Sequence, residues 1–270
     1  MIPFNIHRPE GRLLPVVLSI PHCGTAFPDE LKKLFRPELL EKLDDTDWFV
    51  ETLYGFAPTM GITMITARYH RWVIDLNRNP DDAPLYTDGR IITGLCPVTD
   101  FTGEPLYNDH RLVVEPDEIE RRKLAYYYPY HEALSDLLGS LKSTFGKVLL
   151  WDCHSIRQYV PTIYRDKLPD LILGDGEGSA ASPHVIETAY KSLSNSSYSV
   201  SHNFPFKGGY ITREYGKPLD HQQALQLEMT KINYMDDTEC YFDPTRAESM
   251  RPLLRDTLKA LAEALTSNAK

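Results

Sequence analysis

A chain of 270 residues, 42% of them hydrophobic, is long enough for one large α/β domain with a full core, or for two small ones. Its formal charge of −9 argues against nucleic acid and anionic membranes as main partners, so an anionic ligand would need a local cluster of Arg or Lys. Four scattered cysteines (Cys23, Cys96, Cys153, Cys240) without a C-x-x-C pair suit a reducing compartment, and no stretch approaches the ~20 apolar residues of a membrane span, which together predict a soluble, cytoplasmic protein.

The first apolar run, Val16 to Ile20, reads as a strand. Leu13 to Ile20 resembles a signal-peptide core, but Pro15 interrupts it and it leads straight into Pro21-His22-Cys23-Gly24-Thr25. Gly24 suits a sharp turn that presents His22. A helix is expected from about Asp47 to Phe56, capped by Asp45 or Thr46. Asp44, Asp45 and Asp47 crowd its start, more acid than capping accounts for, which suggests a nearby cation.

Ile62 to Ala67 and Trp72 to Leu76 read as two further strands. Residues 82 to 111 are rich in Gly and Pro with little periodicity, as in a long surface excursion of the kind that forms lids. Pro116 to Thr144 carries the longest helical pattern, with Pro129 expected to kink or split it. Val148 to Ser155 follows as a buried strand that ends in Asp152-Cys153-His154-Ser155.

Leu171 to Gly174 is a further strand, and Ser182-Pro183 opens a helix in the usual order of cap and proline. Tyr198 to His202 is a strand candidate, and Phe206 to Glu214 carries the Gly208-Gly209 turn. Ala224 to Met229 alternates, with Gln226 and Glu228 on one face. The C-terminal helix, about Pro244 to Leu265, bears a stripe of Met250, Leu253, Leu254, Leu258, Leu261 and Leu265. The alternation continues throughout, so one domain spanning residues 1–270 is expected.

His22, Asp47 and His154 each sit at the end of a core element, and open α/β sheets carry their chemistry at such ends. Two histidines and a carboxylate are the minimal ligand set of a catalytic zinc site with one open position. On spacing alone, two loop histidines and a helix cap explain them better. Glu228 is divided between a general base and an exposed position on an alternating strand.

Six motifs in order change that balance: Ser19-Ile20-Pro21-His22-Cys23-Gly24, Asp45-Thr46-Asp47-Trp48, Asp75-Leu76-Asn77-Arg78-Asn79-Pro80-Asp81-Asp82, Asp152-Cys153-His154-Ser155, Gly208-Gly209-Tyr210-Ile211-Thr212-Arg213 and Leu225-Gln226-Leu227-Glu228-Met229. Across about residues 15 to 236 the chain resembles the N-formylglutamate amidohydrolase family, a branch similar to the zinc carboxypeptidases and aspartoacylases. The resemblance implies an α/β fold, with a mixed, mostly parallel sheet covered by helices on both faces. It also implies a divalent metal, Zn2+ or else Co2+, Fe2+ or Mn2+, held by His22, Asp47 and His154, with Asp45 in reserve for the carboxylate. Thr25 stands where a carboxypeptidase would have the glutamate of H-x-x-E, so the acid must come from elsewhere.

The implied activity is hydrolysis of N-formyl-L-glutamate to formate and L-glutamate, a step of histidine breakdown, with Glu228 as the catalytic base. Arg78 lies in a block similar to the carboxypeptidase Asn-Arg pair that grips the substrate carboxylate. Arg78 and Arg213 suit the two carboxylates of such a dianion because a guanidinium pairs with them bidentately; Asn77 would assist, Lys207 is a weaker option, and Asp152 would orient an imidazole. Another N-acyl amino acid deacylase or a carboxypeptidase-like hydrolase is the alternative.

Three rivals lose ground. Gly174-x-Gly176-x-Gly178 follows a strand like a phosphate loop, but Asp175 and Glu177 would oppose a pyrophosphate. Thiol or serine hydrolysis through Cys153, Cys23 or Ser155 lacks a G-x-S-x-G elbow. A non-enzymatic binding protein would leave the polar clusters accidental.

Overall fold

The computed structural model describes residues 2–85, 93–109 and 113–266. Among these, the strands are β1 (Phe4–His7), β2 (Val16–Ile20), β3 (Thr63–Ala67), β4 (Val148–Ile156), β5 (Leu171–Gly174), β6 (Val200–His202) and β7 (Gln222–Thr230). The helices are α1 (Asp29–Lys32), α2 (Pro37–Leu40), α3 (Val50–Leu53), α4 (Pro116–Arg122), α5 (Tyr128–Phe145), α6 (Pro183–Ser194), α7 (Tyr210–Tyr215) and α8 (Pro244–Thr266).

The strands form one sheet in the order β1-β3-β2-β4-β7-β5-β6. The β2–β3, β2–β4, β4–β7 and β5–β6 pairs are parallel, whereas β1–β3 and β5–β7 are antiparallel. This is the expected mixed, mostly parallel α/β sheet.

Every residue of β4 is buried, as a strand covered on both faces must be. Leu149, Trp151 and Cys153 join the core shared with α3, α6 and α8. Val148 and Leu150 face the opposite core, which contains Tyr130, Leu134, Leu138 and Leu141 of α5. Helices therefore cover both faces. In α8 the stripe holds at Met250, Leu254, Leu258, Leu261 and Leu265, all buried, with Leu253 only partly so; each buried leucine contributes roughly 1.5–3 kcal/mol.

Four sequence expectations are corrected. Trp72–Leu76 is not a strand but a series of turns whose apolar side chains are nonetheless buried. Its backbone is satisfied from outside any ladder: Asp75 donates to the Leu95 carbonyl (2.7 Å) and Arg122 donates to that of Val73 (2.9 Å). The helix expected at 47–56 shrinks to α3 and starts after Phe49, whose φ of 62° breaks the helical path, so neither Asp45 nor Thr46 caps it.

Gly24 turns out to permit a close approach: a Cβ there would lie 2.4 Å from the Tyr69 carbonyl oxygen. The 82–111 excursion is not confined to the surface, since Leu95, Leu106 and Tyr107 are buried in it; residues 86–92 and 110–112 lie outside the described set.

The long helical pattern is divided as expected. A π-helical turn, Lys123–Tyr127, separates α4 from α5, with Pro129 in the first turn of α5. A proline lacks the N–H for the i−4 carbonyl and crowds it, and the wider turn absorbs both effects. No described helix is long and apolar enough to cross a membrane.

Candidate metal centre

The carboxyl ends of β2 and β4 lie side by side in parallel register, Ser19 opposite Asp152, so the chain delivers His22 just beyond one end and His154 at the other. A backbone hydrogen bond from Asp47 N–H to the His22 carbonyl (2.9 Å) pins the intervening acid beside them. Asp47 Oδ2 stands 3.1 Å from His154 Nδ1 and 3.7 Å from His22 Nδ1. One ligand atom from each of the three lies within 4.8 Å of the others, all buried, which meets the need that two histidines far apart in sequence face one ion.

The other ring nitrogens lie against acids. His22 Nε2 lies 2.7 Å from Asp75 Oδ1, and His154 Nε2 lies 3.1 Å from Asp152 Oδ2. An imidazole that donates its Nε2–H to a carboxylate turns its Nδ1 lone pair the other way. Here both Nδ1 atoms face Asp47, while Arg71 also stands 3.1 Å from His22 Nδ1 and the Asn77 amide nitrogen 3.0 Å from His154 Nε2. Separations of 3.1 and 3.7 Å suit ligands each about 2 Å from a tetrahedral ion. The group could hold a metal.

The two histidines differ in their affinity for a proton. Burial disfavours an imidazolium at His154, yet Asp152 and Asp47 on either side outweigh it and raise its pKa well above the usual value. Burial lowers that of His22 to about 4, with the Arg71 guanidinium assisting. At Asp47 burial is overcome by His154, and the carboxyl stays below its ordinary value. Burial pushes Glu228 up to about 8, against the pull of His154.

Glu228 pairs in register with His154 across β4 and β7, strands about 4.8 Å apart. It lines a cavity of about 90 Å³ together with His22, Asp47, His154, Arg71 and Arg78. Asn77 enters the same cavity, its amide nitrogen 3.0 Å from His154 Nε2 and its oxygen accepting from Ile211 N–H (2.8 Å). Arg78 is aimed by hydrogen bonds to the Thr93 carbonyl (2.8 Å) and hydroxyl (3.1 Å).

The structure does not bring together all the residues singled out from sequence. Arg213, on α7, does not line the cavity, and its Nε donates to the Gly208 carbonyl (2.9 Å). Lys207 is paired with Glu177 (2.7 Å) outside the cavity. Asp45 faces away from the histidines and accepts from the Trp72 indole (2.8 Å), so Asp47 is the acid in place. Asp44 pairs with Arg157. The crowded acids thus have three separate destinations.

Arg71 was missed. It is buried, donates to Asp75 Oδ2 (2.5 Å), approaches His22 Nδ1 (3.1 Å) and lies over the Phe101 ring at 4.6 Å. Its signal was a charge at i, i+4 from Asp75 inside an apolar run. Asp75, quoted only as part of a motif, proves to orient His22.

The rivals also meet geometry. Burial raises the Cys153 and Cys23 thiols well above their usual pKa, which suppresses the thiolate. Asp175 folds back to accept from Gly178 N–H (2.8 Å) and Asn203 (2.7 Å), filling the glycine loop with its own carboxylate.

A profile of the N-formylglutamate amidohydrolase family matches residues 14–235. An N-formylglutamate deformylase of Pseudomonas putida is 40% identical over 95% of this chain and 93% of its own length. Another, from Pseudomonas aeruginosa, is 38% identical over 93% of each. A crystal structure of N-formylglutamate amidohydrolase from Ralstonia eutropha superimposes with a TM-score of 0.80 at 29% identity, covering 98% of this chain and 97% of that one.

Proposed function

The chain belongs to the N-formylglutamate amidohydrolase family and is an amidohydrolase; we propose that it cleaves N-formyl-L-glutamate to formate and L-glutamate, with a divalent metal, Zn2+ in the first instance, held by His22, Asp47 and His154. The observation that carries this reading is the convergence of two imidazole Nδ1 atoms and one carboxylate oxygen, all buried, beside Glu228.

When bound, such an ion supplies Lewis acidity that brings a water's pKa from ~15.7 toward ~7. The protein does the rest. Glu228 accepts the proton of the attacking water and hands it to the departing amine nitrogen. Its elevated affinity for a proton suits that shuttle. The Arg71 guanidinium, fixed by Asp75, places positive charge where the carbonyl oxygen gains negative charge. Arg78 and Asn77 take the α-carboxylate. The cavity of about 90 Å³ favours an acyl group as small as formyl.

Formate release from a panel of N-formyl and N-acetyl amino acids tests the reading. N-formyl-L-glutamate should have the highest kcat/KM, with activity abolished by a chelator and untouched by iodoacetamide. Activity that survives the chelator and dies with the thiol reagent would overturn it.

A further inference from the structure

A second cavity, of about 280 Å³, adjoins the first and shares Phe101, Ser155 and Ile156 as walls. At about 90 Å³ the first cavity is small against a substrate of about a dozen non-hydrogen atoms, and the second continues it.

Lys231 lines the second cavity, at the residue after β7 and three past Glu228. It is only 2% exposed. Its ammonium makes one hydrogen bond, to the Asp44 carbonyl (3.1 Å), and among the described residues has no carboxylate partner. The acids on the same walls are already engaged: Asp44 with Arg157 (2.9 Å), Asp45 with the Trp72 indole (2.8 Å) and Phe101 N–H (3.3 Å).

Ser155 Oγ is buried without a hydrogen-bond partner. The Tyr234 hydroxyl, which donates to the Trp48 carbonyl (2.9 Å), lies near enough to act on Ser155. A buried ammonium with spare donors and a buried hydroxyl with no close partner are costly until something completes them. A carboxylate accepts from both. Ile156, Val160 and Pro161 supply apolar wall for methylenes.

We propose that Lys231 and Ser155 form the subsite for the side-chain carboxylate of the N-formyl amino acid, so that Lys231 selects an acidic over a neutral side chain. This rests on the reaction proposed above, in which Arg78 and Asn77 hold the α-carboxylate. Burial draws the Lys231 ammonium toward losing its proton, and a bound carboxylate restores its charge.

The test compares formate release from N-formyl-L-glutamate and N-formyl-L-glutamine in the wild-type protein, Lys231→Met, Lys231→Arg and Ser155→Ala, with thermal unfolding recorded for each. In Lys231→Met the glutamate-over-glutamine ratio of kcat/KM should fall about 10- to 100-fold, mainly through KM for the acidic substrate. Ser155→Ala should move it the same way by less, and Lys231→Arg should keep the acidic preference. A wild-type preference that Lys231→Met and Ser155→Ala leave intact overturns the assignment alone, as does an equal loss on both substrates. If Lys231→Met fails to fold, the ratio in Ser155→Ala decides by the same criterion. A wild-type protein inactive on both substrates overturns the proposed reaction and this subsite with it.

Discussion

At the scale of single residues, environment decides role. Glu228 and Asp47 are both buried carboxyls near His154, but burial lifts Glu228 to about 8 whereas His154 keeps Asp47 below its ordinary value. One is suited to carry a proton, the other to face a cation. Glu228→Gln, nearly the same in shape, should cut kcat for formate release about 10²- to 10⁴-fold without lowering the unfolding temperature; a variant retaining half the activity would remove Glu228 from the mechanism. His22, Asp47, His154 and Glu228 were legible because each stands where an apolar run stops or alternates. Arg71 and Lys231 were not, since a charge inside or just after a buried run carries no sign of the cavity it will line. Arg213 shows the converse limit: its motif was read, but that α7 turns its Nε to the Gly208 carbonyl is a tertiary fact.

At the scale of elements, the parallel pairing of β4 with β2 and β7 brings two chain-distant histidines and a glutamate to one sheet edge. The long strands were legible because buried parallel strands read as continuous apolar runs. The same rule failed at Trp72–Leu76, where an equally apolar run is buried as turns, and at α3, where Phe49 halts a helix that periodicity would have extended. Neither event has a local signature. His131 on α5 ties three elements together: its ring lies 2.9 Å from the Leu76 carbonyl and 3.1 Å from the Tyr215 hydroxyl of α7. Burial lowers its pKa to about 4, against Leu76 and Asp152, which raise it. The unfolded chain therefore binds this proton first as pH falls below about 6.5, and the stability that neutral His131 provides is lost between there and about pH 4. The loss is at most on the order of 3 kcal/mol, less for the ring's remaining exposure to solvent. Unfolding temperatures followed across that window should fall less steeply in His131→Gln than in the wild type; parallel curves would show that the ring does not titrate as described.

At the scale of the whole molecule, a sheet of seven strands among the described residues, clothed on both faces, brings His22, Asp47, His154 and Glu228 to one buried cavity. The fold class was readable from the alternation of buried runs and helical patterns, and the family from six motifs in order. The edge strand β1 and the paths of the irregular segments that wall the cavity were not, because they are set by what they pack against. The net charge of −9 coexists with Arg71, Arg78 and Lys231 turned inward, so an acidic protein keeps its cations where an anionic substrate would need them. The most direct test is the metal content of the purified protein and of His154→Ala, measured alongside formate release: one divalent ion per wild-type chain, lost together with activity in the variant, is the expected result, and a metal-free wild-type chain at full activity would contradict the account.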